Sequence, residues 1–229
     1  MAAYPLAMAS EPVPLLDSDG DLVAIDGRRL GRRAQATRRK LLDATAELLQ
    51  TRRLLDLTVV EVARRVGTSP ASFYQYFQNV DEAVLTLADE IGGQLGELVP
   101  LVERPWRGAA GFEVCKQVVA GYIDHWDRHR AVLRVRDLAA AEGDQRFRRL
   151  RNESLSMITD RLADKIAASQ RAGKVAPTIT PYAAASAMVA MMGRMAAYHR
   201  ELETRGFTQD DMVETVARIV FQTVTGRRP

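Results

Sequence analysis

One short stretch, residues 58–77, limits the possible folds of this chain more than any other. Thr58 and Glu61 have the spacing of a capping box, in which each side chain satisfies the other residue's free backbone amide. Gly67 follows the last apolar position of this helix, where a positive φ lets the chain turn. Ser69 and the proline after it suit the N-cap and first position of a second helix. The pattern predicts a helix-turn-helix.

The second predicted helix has two different faces. Phe73 and Phe77 lie one turn apart, so we expect both to pack on the first helix. The outward side carries small, hydroxylated, amide and phenolic side chains: Ala71, Ser72, Tyr74 and Gln75. A solvated helix usually exposes Lys and Glu, whereas these groups suit phosphate oxygens and base edges. An ordinary helical hairpin with a polar side would also fit.

The segment from about residue 37 to residue 89 resembles the N-terminal domain of TetR-type transcriptional repressors. The resemblance runs in order through an alanine-rich first helix, the two helices above and the start of a fourth. The matching runs are Leu41, Leu42, Ala44, Thr45, Ala46, Leu48 and Leu49, then Thr58 to Ala63, Val66 to Ser69, Phe73 to Phe77 and Asp81 to Leu85. Within the family, residues 54–77 and the later Trp106-Arg107 are most similar to the mycobacterial ethionamide-resistance type of regulator.

The resemblance implies an all-α fold, with an N-terminal three-helix helix-turn-helix domain followed by a larger helical domain for effector binding and dimerisation. The DNA-binding candidates are Arg38, Arg39, Thr58, Ser69, Pro70, Ala71, Ser72, Tyr74, Gln75 and Tyr76. One position departs from the family, which usually has Lys near the start of its fourth helix where this chain has Val80. Asn79 can still cap that helix, whose N-terminal amides can meet a phosphate.

Charge is unevenly distributed, although the formal net charge is only +3. Residues 1–27 are acidic and rich in turn formers, so we expect a disordered or only locally ordered tail. A basic run follows it, with Arg28, Arg29, Arg32, Arg33, Arg38, Arg39 and Lys40. This run is either a DNA-binding arm or a solvated linker. We therefore predict a DNA-binding domain over residues 28–80 and a C-terminal domain over residues 81–229.

The C-terminal part is patterned for helices throughout, and the whole chain is expected to contain about nine. The predicted helices cover residues 81–98, 106–129, 131–141, 145–172, 180–202 and 208–225. Two of them suggest a homodimer. Residues 183–197 are crowded with Ala, Gly and Met, and the last helix carries a regular apolar stripe. In the family, the two final helices pair across a two-fold axis, but a single-chain core explains the same patterns.

An effector pocket is expected among aromatic and methionine side chains, which suit an apolar ligand. The candidates are Trp106, Phe112, Tyr122, Trp126, Phe147, Met157, Met188, Met192 and Tyr198. The same residue types on helices also form ordinary core.

Catalytic patterns are weak. His125 and His129 have a metal-chelating spacing, but no further cluster completes a metal site, and Cys115 has no evident catalytic base. We expect no enzyme activity, cofactor or resident metal. No apolar span is long enough to cross a membrane, and residues 1–14 do not resemble a signal peptide, so we expect a cytoplasmic protein.

The sequence therefore predicts a DNA-binding transcriptional regulator. As a repressor, it would occupy a palindromic operator on double-stranded DNA as a homodimer, until a small, mostly apolar effector bound the C-terminal domain. The main alternative is a ligand-binding or protein-interaction module that has lost DNA binding, which Val80 keeps open. A metal-dependent enzyme is a more distant alternative.

Overall fold

The computed structural model describes residues 22–226; residues 1–21, most of the predicted acidic tail, and 227–229 lie outside the described part. Between residues 22 and 226 the regular structure is helical, apart from one antiparallel β-bridge between Val23 and Arg29. The helices in this range are α1 (Arg32–Leu48), α2 (Val59–Val66), α3 (Pro70–Phe73), α4 (Val80–Gln94), α5 (Val99–Glu103), α6 (Gly108–Ala141), α7 (Gln145–Arg171), α8 (Pro181–Glu203) and α9 (Gln209–Thr225). Short 3-10 helices cover Leu54–Asp56 and Leu95–Leu98. The predicted all-α fold is confirmed.

The chain divides into two compact units between Leu87 and Ala88, within α4. In the first unit α2 packs against both α1 and α3. Its core consists of fully buried apolar side chains from the three helices and the turn after α3: Leu41, Leu42, Val62, Ala63, Phe73 and Phe77. The first unit therefore contains the predicted three-helix domain, built around the helix-turn-helix, together with the first part of α4.

The second unit is a helical bundle in which α6, α7 and α8 pack on one another and α9 packs on all three. Its largest buried side chains come from α6, α7 and α9: Tyr122, Ile123, Leu133, Phe147, Ile158, Leu162, Ile166 and Phe221. The 3-10 segment Leu95–Leu98 and α5 close one side by packing on α6 and α7.

The break predicted between residues 129 and 131 corresponds to a kink in α6, where His129 adopts non-helical angles of φ −121° and ψ 15°. Residues 99–103, which no predicted helix covers, form α5, with Pro100 in its first turn. A proline is tolerated there, since its missing amide hydrogen would have no partner within the helix.

Candidate DNA-binding and effector-binding sites

The start and end of α2 are fixed by its own sequence. The amide of Glu61 donates to the Thr58 hydroxyl at 3.3 Å, and the amide of Thr58 donates to the Glu61 carboxylate at 3.1 Å. Bonds from the Thr58 hydroxyl and amide lower the pKa of Glu61, so the carboxylate stays ionised in the cap. Gly67 ends the helix with a φ of 74°. The predicted capping box and glycine turn are confirmed.

Helix α3 begins as predicted but is short. Ser69 is its N-cap and accepts a hydrogen bond from the amide of Ser72 at 3.2 Å. Beyond Phe73 the helical turn continues, since the amide of Phe77 donates to the carbonyl of Phe73 at 3.1 Å. The two phenyl rings lie 5.4 Å apart and are fully buried. Burial of this face turns the opposite side of α3 outward.

Most of the predicted DNA-binding residues in and around α2 and α3 are exposed. They are Thr58, Ser69, Pro70, Ala71, Tyr74 and Gln75, while Ser72 is half-buried. Tyr74 is the most open of the aromatic residues here, with 53% of its surface exposed. These side chains include no charged group, so the surface of α3 offers hydroxyl, amide and apolar contacts.

Three other predicted DNA-binding residues have different surroundings. Tyr76 is only 6% exposed, and Arg38 is only 5% exposed, with its guanidinium 5.3 Å from the centre of the Phe77 ring. Arg39 is exposed and pairs with Asp43 at 2.9 Å. Burial leaves Arg38 little surface with which to reach a phosphate. The DNA contacts of all three remain predictions.

Two further contacts stabilise the helices on either side of α3. The guanidinium of Arg65 on α2 donates to both carboxylate oxygens of Glu47 on α1, at 3.1 and 2.5 Å, and lowers the pKa of Glu47. Sequence reasoning missed this pair, because its partners lie far apart in the chain. Asn79 caps α4 by accepting from the amide of Glu82 at 2.9 Å, as predicted, and Val80 is buried.

The predicted effector-binding residues are mostly core of the second unit. Seven of them are buried: Trp106, Phe112, Tyr122, Trp126, Phe147, Met188 and Met192. Met157 is half-buried and Tyr198 is exposed. The ring of Phe112 meets that of Phe221 edge-on at 5.6 Å, and the ammonium of Lys165 lies 5.2 Å from the centre of the Trp106 ring. Their role in ligand binding remains a prediction.

An open groove between α7 and α8 was not predicted. It encloses about 520 Å³. Six of its nine lining residues have polar side chains and three are aliphatic: Asn152, Glu153, Leu155, Ser156, Thr159, Tyr182, Ser186, Val189 and Ala190. None of the predicted effector-binding residues lines it, and the one aromatic residue in its lining, Tyr182, was not among the candidates.

A polar cluster joins α6 to α8 near the kink. Nε2 of His199 lies 2.9 Å from the carboxylate of Asp127, and Nδ1 lies 3.1 Å from that of Glu203. Arg130 bonds Asp127 at 2.6 Å and also donates to the carbonyl of Ala197. Asp127, which lies between His125 and His129 in the chain, is thus bonded within the protein.

The candidates for catalysis have surroundings typical of a protein core. The rings of His125 and His129 lie 5.3 Å apart, and burial, with a smaller effect of His129, lowers the pKa of His125 to about 4. Burial raises the pKa of Cys115 to about 12, which keeps the thiol protonated. Within residues 22–226 no group of three or more His, Cys, Asp or Glu side chains could hold a metal ion.

Family comparisons agree with this architecture. The model described as "Tetracyclin repressor-like, C-terminal domain" matches residues 95–229. The chain belongs to the TetR family. A second model, "Bacterial regulatory proteins, tetR family", matches residues 41–83, which contain the helix-turn-helix. The predicted resemblance is confirmed, and the chain is a DNA-binding transcriptional regulator of the TetR family. Its similarity to the ethionamide-resistance branch remains a prediction.

Solved structures of other bacterial regulators share the fold. The fatty acid degradation regulator FadR from Bacillus halodurans superposes with a TM-score of 0.65 at 14% identity, covering 87% of this chain and 100% of FadR. NalD, the secondary repressor of the MexAB-OprM multidrug efflux pump in Pseudomonas aeruginosa, gives 0.62 at 19% identity, covering 85% and 98%. SmeT, the repressor of the Stenotrophomonas maltophilia pump SmeDEF, gives 0.58 at 14% identity, covering 83% and 89%. Among the described residues of this TetR-family chain, no helix is long and apolar enough to span a membrane.

Proposed function

We propose that this TetR-family regulator is a cytoplasmic homodimeric repressor, which leaves a palindromic operator when a small, mostly apolar effector binds its C-terminal domain. The observation that carries the proposal is the outward surface of α3, which is exposed and uncharged and is held in place by caps at Thr58 and Ser69. A helix with such a surface suits the major groove, where hydroxyl and amide groups read base edges.

The predicted DNA-binding residues divide between two roles. Thr58 and Ser69 lie at helix starts and are assigned to phosphates, together with the hydroxyl of Tyr76. The residues assigned to base edges are Ala71, Ser72, Tyr74 and Gln75, with Tyr74 able to serve both roles. Arg39 adds a charge contact if its pairing with Asp43 opens on DNA.

A second copy of the chain would complete the DNA-binding unit. One side of α8 is exposed and carries small side chains at Ala183, Ala187 and Ala190, which permit close helix approach. On α9, Ile219 is exposed although it is apolar. Two-fold pairing of these faces would cover them and would present two copies of α3 to the two halves of a palindrome.

Effector control requires a difference in affinity between two conformations. An effector releases DNA only if it binds the DNA-incompetent arrangement of the two reading helices more tightly than the competent one. Trp106, Phe112, Tyr122 and Trp126 are buried. An effector that uses them must therefore separate helices of the second unit, which would couple its binding to a change of shape.

Selection of bound fragments from the source genome tests this function. The purified protein should retain a small set of fragments in a salt-sensitive manner, and candidate apolar small molecules should release them. Absence of retention even at low salt would favour the alternative, a helical ligand-binding or protein-interaction module without DNA binding. Equal retention of all sequences would also contradict an operator-specific repressor.

A further inference from the structure

The segment just before α1 is folded onto the helix-turn-helix unit. The amide of Leu30 donates to the carbonyl of Leu22 at 2.8 Å, and the amide of Ala24 donates to the carbonyl of Arg28 at 2.9 Å. Gly27 turns the chain with a φ of 79°. We call residues 22–30 the N-terminal turn. Its apolar side chains Val23, Ala24 and Leu30 are buried, so it belongs to the packed domain.

Residues 71–75 carry the side chains assigned to base edges, and we call them the reading segment. The N-terminal turn is bonded directly to its last residue. The amide of Ile25 donates to the backbone carbonyl of Gln75 at 3.2 Å. A helix as short as α3 leaves carbonyl groups at its end without intrahelical partners. The bond to Ile25 satisfies one of them and fixes the main chain of a residue whose side chain is assigned to base edges.

The exposed tip of the turn is basic. Asp26, Gly27, Arg28 and Arg29 are all exposed. The Asp26 carboxylate accepts from the amide of Arg28 at 3.1 Å, which is the local bond expected of Asp in a turn. Asp26 therefore shapes the tip, while the two arginines give it positive charge.

The major groove of B-DNA is about 12 Å wide and is bordered by phosphates on both sides. The N-terminal turn is bonded to the main chain of Gln75. When α3 lies in the major groove, the turn must therefore lie close to the phosphates at the edge of that groove. We propose that the N-terminal turn is a second DNA-contacting element, which holds the end of the reading segment and places Arg28 at a phosphate beside the groove. This inference rests on the proposed function, and it adds a contact outside the helix-turn-helix.

The charge contact is tested with Arg28→Gln, compared with Arg205→Gln, which removes the same charge from an exposed site in the second unit. The probe is a duplex that the wild-type protein selects from random sequences, titrated over a range of salt concentrations. Loss of one phosphate contact reduces the slope of log K against log salt by about 0.9, hence about 1.8 for a dimer. Arg28→Gln should show this reduction, and Arg205→Gln should keep the wild-type slope.

The backbone contact is tested with Ile25→Pro, which removes the donating amide, against Ile25→Ala, which keeps it. Ile25→Pro should bind the selected duplex about fivefold more weakly than Ile25→Ala, the equivalent of one ordinary hydrogen bond. Thermal unfolding shows whether either variant has lost its fold. Should Ile25→Pro fail to fold, Arg28→Gln decides the proposal alone, since it changes only an exposed side chain.

The results separate this inference from the proposed function. If the wild-type protein selects a duplex but Arg28→Gln keeps its salt slope, the N-terminal turn is not a DNA contact and the inference is wrong, while the regulator function stands. If the wild-type protein selects no duplex, both fail. Equal binding by Ile25→Pro and Ile25→Ala, with both folded, would contradict the role of the turn in holding the reading segment.

Discussion

Gln75 and Tyr76 are neighbours in the chain, yet the structure gives them different surroundings. Gln75 is exposed at the end of the reading segment, whereas Tyr76 is buried apart from 6% of its surface. An amide side chain can form a bidentate bond with adenine, which depends on sequence. A phenol held by packing can offer its hydroxyl only to a group at a fixed position, such as a phosphate.

This difference predicts distinct effects of two substitutions. Gln75→Ala should relax the sequence preference, with discrimination at one base pair reduced by about 1–3 kcal/mol. Tyr76→Phe should weaken binding to all sequences by a similar factor. Binding to a panel of single-base variants of the selected duplex measures both. If the two variants affect every sequence equally, the division into base-reading and phosphate-binding residues is wrong.

A second prediction concerns His125. Its pKa is lowered from 6.5 to about 4 because the buried site disfavours the charged ring. The unfolded chain therefore binds more protons between these two values, and the free energy of unfolding falls as the pH is lowered through that window. The stabilising effect of the neutral ring is fully present above pH 6.5.

Urea unfolding at pH 7.5, 5.5 and 4.5 checks this prediction by comparing the wild-type protein with His125→Gln. The variant should lose less stability than the wild type between the first and last pH, because its residue 125 does not titrate. An identical loss in both proteins would show that other groups carry the acid sensitivity.

At the scale of helices, the sequence predicts the caps and turns at helix ends, but it does not predict the hydrogen bonds between helices. Thr58, Gly67 and Ser69 each act through residues within a few positions, so their roles could be identified from spacing. The bonds between Arg65 and Glu47 and between Ile25 and Gln75 join residues that are distant in the chain. Only the folded structure brings such partners together.

Two glycines give a matched prediction at this scale. Gly67 has a positive φ, so Gly67→Ala should lower the free energy of unfolding by about 1–2 kcal/mol. Gly93 lies within α4 without a positive φ, and no atom crowds the position of an added Cβ. Gly93→Ala should therefore raise stability by about 0.5–1 kcal/mol. Urea unfolding compares the two, and equal effects would contradict the role given to the turn after α2.

At the scale of the whole molecule, the effector site could not be predicted from residue types alone. Aromatic and methionine residues were selected by type, but type alone does not distinguish a residue lining a pocket from one filling a core. Most of the selected residues are buried, and the groove between α7 and α8 uses other residues. Which helices separate when a ligand binds depends on the energies of two conformations, which a sequence pattern does not contain.

Dimerisation is also a property of the whole molecule. A substitution on the exposed face of α8 tests whether that face forms the interface. Ala187→Arg places a long charged side chain on that face and should give a monomer with greatly reduced affinity for the selected duplex. Ala168→Arg makes the same change at an exposed alanine of α7 and should remain dimeric. Sedimentation measures the oligomeric state. A dimer formed equally by both variants would place the interface elsewhere.

The most direct test of a two-fold repressor is the dependence of binding on the spacing between half-sites. Inserting about five base pairs at the centre of the selected duplex places its two halves on opposite faces of the DNA, because a helical turn has about 10 base pairs. We predict that the insertion reduces affinity to that of unrelated DNA and that a full-turn insertion restores part of it. Affinity unchanged by either insertion would contradict the claim that two copies of α3 read one operator together.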